Sequence, residues 1–69
     1  MYKVEAAYNL TYVFGETHKV KINIKKGQRW YVVSEGDVYY LERDNVIMPI
    51  AKEEFDSLFA PSKRSGKYG

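Results

Sequence analysis

Few residues in this chain carry chemistry on their own. His18 is the only histidine. It sits in a turn-forming stretch, Gly15 to His18, with no nucleophile close in sequence, whereas a general base must lie within hydrogen-bond reach of its target. A solitary turn histidine is more simply a solvated loop residue. Glu53 and Glu54 form an adjacent carboxylate pair, but at the start of a short helical segment such a pair complements the helix dipole. The chain has no cysteine, which excludes disulfides, thiolate metal sites and cysteine nucleophiles and favours a reducing compartment. It has neither a Gly-rich phosphate loop nor a His/Cys/Asp cluster with metal-ligand spacing. The expectation is a protein that is not an enzyme, with no catalytic residue, no metal and no cofactor.

Binding chemistry has more to stand on. Lys19, Lys21 and Lys25 alternate along one run, and Lys3 extends the stripe; basic side chains on one sheet face, interleaved with aromatics, grip phosphates while rings stack. Alternating lysines also keep an exposed strand face soluble and guard sheet edges against aggregation. Glu5, Glu35, Asp37, Glu42 and Asp44 dilute the field. The formal net charge of +2 is unevenly placed: residues 1–60 hold eight Lys/Arg and nine Asp/Glu, a net of −1, and residues 61–69 add Lys63, Arg64 and Lys67. Basic character therefore belongs mostly to the tail, and Lys63 and Arg64 join the lysine stripe as candidate phosphate contacts.

Seven tyrosines in 69 residues are the main compositional anomaly, since a domain this small cannot enclose them all. The elements that position them are legible. From Tyr2 to Phe14 every even position is apolar and most odd ones polar, which is strand periodicity. Thirteen residues are long for one straight strand, so a bend is expected near Asn9. After a turn at Gly15 to His18, Val20, Ile22 and Ile24 continue the alternation against Lys19, Lys21, Asn23 and Lys25, predicting a hairpin with one buried face. Lys26-Gly27 is a second turn.

Three strands follow: Arg29 to Ser34, Asp37 to Glu42 and Val46 to Ile50, joined by Glu35-Gly36 and Asp44-Asn45 as two-residue loops. Those loops predict Ser34 opposite Asp37, Val33 opposite Val38, Tyr31 opposite Tyr40 and Leu41 opposite Met48. One face then holds Trp30, Val32, Tyr39, Leu41, Met48 and Ile50 and is assigned to the core. The other holds Tyr31, Val33, Val38, Tyr40 and Ile47, too apolar for an ordinary solvated surface. Either the barrel curls to bury it, or the helix or Tyr2 to Tyr8 covers it, or it is a contact face, to a partner protein or to a second copy in a homodimer. Ala51 to Phe59 predicts a short helix, with Phe55, Leu58 and Phe59 at helical spacing, stopped by Pro61. Ser62 to Gly69 has no apolar periodicity and is expected to be disordered.

Taken in order, these pieces resemble an SH3 domain, or an SH3-like small β-barrel, over roughly residues 4–59. Ala6-Ala7-Tyr8-Asn9-Leu10 is similar to the family's ALYDY strand, and the hairpin tipped by Gly15 to His18 occupies the place of its long first loop. Lys21-Ile22-Asn23-Ile24-Lys25-Lys26-Gly27-Gln28 is similar to its diverging turn, Tyr39-Tyr40 to its paired tryptophans, and Pro49 with a helical turn to its final segment. The resemblance implies that Tyr8, Tyr39 or Tyr40, and Pro49 line a groove for extended, proline-rich peptide. The chain departs from the pattern where that groove is built: Leu10 replaces the second ligand-stacking tyrosine, no tryptophan holds the peptide-binding position, the first loop keeps only Glu16 as an acid, and no closing strand is evident after Phe59.

The resulting expectation is an all-β, SH3-like small barrel of about five antiparallel strands with a short C-terminal helix, spanning residues 1–60, followed by a disordered basic tail, 61–69. Its expected role is a non-catalytic protein-binding module using Tyr8, Tyr31, Tyr39, Tyr40, Ile47 and Pro49, by analogy an accessory or inhibitory protein of a mobile element such as a phage. The alternative is nucleic-acid binding by Lys19, Lys21, Lys25, Lys63 and Arg64. The N-terminus lacks the apolar region of a signal peptide and no segment reaches membrane-span length, so a cytoplasmic location is expected.

Overall fold

The computed structural model describes residues 1–61. They form seven antiparallel strands and one short helix: β1 (Tyr2–Ala6), β2 (Leu10–Phe14), β3 (Val20–Ile24), β4 (Arg29–Ser34), β5 (Val38–Arg43), β6 (Val46–Ala51), α1 (Lys52–Leu58) and β7 (Phe59–Pro61). Strands β6-β5-β4-β1-β7 make a curled five-stranded sheet, and β2-β3 is a separate hairpin. The class is all-β, with the sheet wrapped into a half-barrel.

Two features raise the strand count from the expected five to seven. The long first run divides after Ala6, where backbone bonds are handed to other partners. The Ala7 N–H donates to the Leu58 carbonyl at 2.7 Å, and the Asn9 side chain accepts from the Lys26 N–H at 2.7 Å. The expected bend near Asn9 is therefore a full break between β1 and β2. The second feature is the closing strand, missing from the periodicity: Phe59–Pro61 lies antiparallel to β1, with Phe59 opposite Ala6 and Pro61 opposite Val4. Three residues are too few to show a period of two.

The loop at Asp44-Asn45 behaves as expected. Both residues have positive φ, 52° and 67°, the pairing that matches strand twist in a two-residue hairpin. Leu41 duly faces Met48 and Arg43 faces Val46. The preceding loop does not follow the prediction. Tyr31 pairs with Glu42 rather than Tyr40, Val32 with Leu41, and Ser34 rather than Val33 stands next to them, opposite Tyr40. A β-bulge between Val32 and Ser34 absorbs one residue, and the connection runs longer than Glu35-Gly36. The shift before the bulge is two residues, an even number, so Tyr31 and Val32 keep their predicted faces although their partners change; past it the shift is odd, and Ser34 joins Tyr40 on the outer face.

The core is accordingly the expected one. Trp30, Val32, Leu41, Met48 and Ile50 are buried, together with Val4, Ala6, Ile24, Phe55 and Phe59. Fully burying a large aliphatic side chain contributes about 1.5–3 kcal/mol, so these ten residues dominate the stability of so short a chain. One face of the hairpin, through Leu10, Tyr12, Phe14 and Ile22, packs on the same core. Helix α1 closes one end. Its Phe55 stacks on Tyr39 at 4.2 Å between ring centroids and on Phe59 at 5.7 Å. Glu53 and Glu54 occupy its first turn.

Candidate protein-contact face

The outer face of the sheet is built by cross-strand rows, because residues directly opposite in an antiparallel pair project to the same side. One row runs Lys3, Tyr31, Glu42, Ile47 across β1, β4, β5 and β6. The next holds Ser34, Tyr40 and Pro49, with Val33 beside Ser34 in the bulge. The face stays open: Tyr31 is 39%, Tyr40 42% and Ile47 55% exposed, and Val33 and Val38 are exposed too. The alternative that barrel curl buries this face does not hold. A contiguous run of exposed tyrosine, isoleucine and valine is uncommon on a small soluble domain and is the surface type used for contacts.

The predicted protein-contact residues do not all meet. Tyr31, Tyr40, Ile47 and Pro49 share the outer face. Tyr39 lies on the opposite side, opposite Ile50 and stacked on Phe55, half-buried at the edge of the core. Tyr8, 58% exposed, stands in the connection between β1 and β2, away from those strands. Of the two tyrosines that the family resemblance offers beside Pro49, Tyr40 stands opposite it on the outer face, whereas Tyr39 projects to the other face of the sheet. Glu42 is the residue that sequence reasoning missed. It sits between Tyr31 and Ile47, a position visible only once the bulge sets the register.

Polar contacts gather at the two ends of the sheet. At one end, on the core side where Tyr2 stands opposite buried Val32, the Tyr2 hydroxyl donates to Glu35 Oε2 at 2.5 Å. This bond, burial and the negative charge of Glu35 push the Tyr2 hydroxyl up to about 12. At the other end is an open recess lined by Lys3, Arg29, Tyr31, Glu42, Arg43 and Asp44. Its charges are matched internally: Arg29 pairs with Glu5 at 3.6 Å, Arg43 with Asp44 at 3.8 Å, and Arg43 also donates to the Arg29 carbonyl at 3.2 Å. A recess of alternating sign offers no net attraction to one kind of ion.

The lysine candidates lie elsewhere. Lys21 projects from the outer face of the hairpin opposite Val13, beside Asn23, whose Oδ1 accepts from the Thr11 hydroxyl at 3.0 Å. Lys19 and Lys25 flank β3, and all three lysines are exposed. Lys3 belongs to the sheet face and does not continue the stripe. Lys63 and Arg64 fall outside the described residues. His18 is exposed in the loop after Gly15, and among the described residues no group of three or more His, Cys, Asp or Glu is arranged to hold a metal ion. Among the same residues no helix is long and apolar enough to cross a membrane.

No family model matches the chain, and neither a curated protein nor a solved structure does so at a significant level.

Proposed function

We propose that this protein is a non-catalytic binding module with an SH3-like architecture, which contacts a partner protein through Tyr31, Tyr40, Ile47 and Pro49. The observation that carries the reading is the exposure of Tyr31, Tyr40 and Ile47, with half-buried Pro49 opposite Tyr40, on one sheet face that stays open among the described residues. Tyrosine gives large contact area with little side-chain entropy to lose. The SH3-like part rests on connectivity: a first strand, an excursion hairpin, a turn at Lys26-Gly27, a three-stranded meander, a short helix and a closing strand that returns to the first. Of the groove residues that the resemblance implies, Tyr40 stands opposite Pro49 but Tyr8 lies in the connection between β1 and β2, so the outer face of the sheet is the preferred surface. An accessory or inhibitory role for a mobile element remains an analogy from size and simplicity.

The second reading, nucleic-acid binding, is favoured by one observation: among residues 10–26 the four lysines face only one carboxylate, Glu16. The two readings separate in a pull-down from source-cell lysate with and without nuclease. The protein-contact reading predicts a stoichiometric protein that survives nuclease, is lost with Tyr40→Ala and is retained with Lys21→Ala. Recovery of nucleic acid, with every protein band lost after nuclease, overturns it.

A further inference from the structure

The hairpin β2–β3 is a two-stranded ribbon, and among the described residues no other strand pairs with either of its edges. Its register sorts the side chains between two faces. Leu10, Tyr12, Phe14 and Ile22 pack on the core. Thr11, Val13, Lys21 and Asn23 project from the other face, flanked by Asn9, Lys19 and Lys25, and all of these are exposed. None of them is an acid; the hairpin's single carboxylate is Glu16, in the loop between the strands. Residues 10–26 hold four lysines and Glu16, a net of +3. Arg29, Arg43 and Lys52 are each held by a carboxylate, whereas Lys19, Lys21, Lys25 and Lys26 have no ion pair among the described residues. Neighbouring charges do not cancel this surplus on the outer face. Arg43 and Asp44 share an open recess with Lys21 and Asn23 but pair with each other at 3.8 Å. Glu54 reaches the hairpin on its core side, at the Tyr12 hydroxyl.

We propose that this hairpin binds duplex DNA, lying along the major groove with Lys19, Lys21 and Lys25 on phosphates and Thr11, Val13 and Asn23 towards the base edges. This rests on reading the chain as a nucleic-acid binder and names the form of nucleic acid that the ribbon fits. Three properties of the outer face select it. The first is charge: lysines without ion-pair partners, on a face free of carboxylates, are complementary to a polyanion. The second is size. Two strands about 4.8 Å apart fit a major groove about 12 Å wide, while a minor groove about 6 Å wide does not admit them. The third is the placing of the rings. Single strands are held by aromatic side chains on which bases stack, but the hairpin's aromatics, Tyr12 and Phe14, pack on the core. Duplex RNA has a major groove too deep and narrow for side chains to read. What the outer face offers is short and polar: the Thr11 hydroxyl, donating to Asn23 Oδ1 at 3.0 Å, and the Asn23 amide, with the methyl groups of Thr11 and Val13 beside them. Hydroxyl and amide groups hydrogen-bond to base edges, and methyl groups contact the thymine methyl. Residues of the sheet face take no part, so the two contacts use different side chains.

The test is fluorescence anisotropy of the full chain with a labelled mixed-sequence DNA duplex, and with the single strand and the RNA duplex of the same sequence, between about 50 and 200 mM salt. The expected result is tightest binding to the DNA duplex, with the logarithm of affinity falling linearly against that of salt. The three lysines together account for a slope of about −2.7, a loss of about fortyfold over that range. Lys19→Ala, Lys21→Ala and Lys25→Ala each make the slope shallower by about 0.9, and Asn23→Ala weakens binding without changing it. The bound chain protects guanine N7, in the major groove, from dimethyl sulfate. Circular dichroism of each variant establishes that it is folded. Equal or tighter binding to the single strand or the RNA duplex overturns the proposal and leaves the nucleic-acid reading standing, as does protection confined to adenine N3 in the minor groove. Binding that the hairpin variants leave intact and that Lys63→Ala/Arg64→Ala abolishes also overturns it. Absence of binding to all three probes overturns the proposal and the nucleic-acid reading together, and leaves the protein contact through the sheet face untouched.

Discussion

At the scale of single residues, position on one side of a strand or the other decides whether an apolar side chain stabilises the fold or serves a contact. Leu41 and Ile47 are both aliphatic and lie on neighbouring strands, yet Leu41 is fully buried and Ile47 is 55% exposed. Truncating the first removes core packing, at about 2–5 kcal/mol; truncating the second removes surface. Tyr2 shows how a single polar contact enters stability. Its hydroxyl donates to Glu35 and titrates at about 12, above the ordinary tyrosine value of 10.0. A group whose folded value is raised favours the folded state while protonated, so its contribution is complete below pH 10 and is lost as pH rises through 12. Urea unfolding across that alkaline range checks this: Tyr2→Phe should flatten part of the fall in stability. Part should remain, because Tyr12 is also raised, by burial and then by Glu54. An unchanged alkaline limb in Tyr2→Phe contradicts the assignment.

At the scale of elements, the turns carry more information than the strands. Asp44-Asn45 takes two positive φ values, which non-glycine residues other than Asn and Asp rarely adopt. Asn45→Ala should cost about 1–2 kcal/mol, measurable by thermal unfolding, whereas Asn45→Gly should leave stability equal or higher; equal losses in both variants would show that the side chain, not the backbone angle, matters. This turn was legible in the sequence, and so was the register it sets. The bulge at Val33 was not, because a bulge is a backbone event that leaves no trace in a pattern of apolar and polar residues. It moved Tyr31 from Tyr40 to Glu42 and put a carboxylate at the centre of the candidate face. Core membership survived because the shift before the bulge was even. The closing strand β7 was hidden by its length, and Tyr39 and Pro49 were separated by one step of parity along paired strands. Pro49 has its own role on β6, an edge strand: without an N–H it interrupts the row of donors that a foreign strand would use. Contact through the face of the meander is thereby favoured over pairing along its edge.

At the scale of the whole molecule, a small chain has divided its surface by chemistry. Exposed tyrosine and aliphatic side chains mark the outer face of the sheet, lysines mark the hairpin, and the protein has one core of ten buried residues. The central claim is that the sheet face, not the hairpin, is where a partner protein binds. The most direct test is a heteronuclear NMR titration of isotope-labelled protein with the protein captured from lysate, following backbone amide shifts residue by residue. The account predicts that shifts concentrate on β4, β5 and β6, at Tyr31, Val33, Tyr40, Glu42 and Ile47, while Thr11, Lys21 and Asn23 of the hairpin stay in place. Shifts confined to residues 10–26, with the sheet face unchanged, would contradict it.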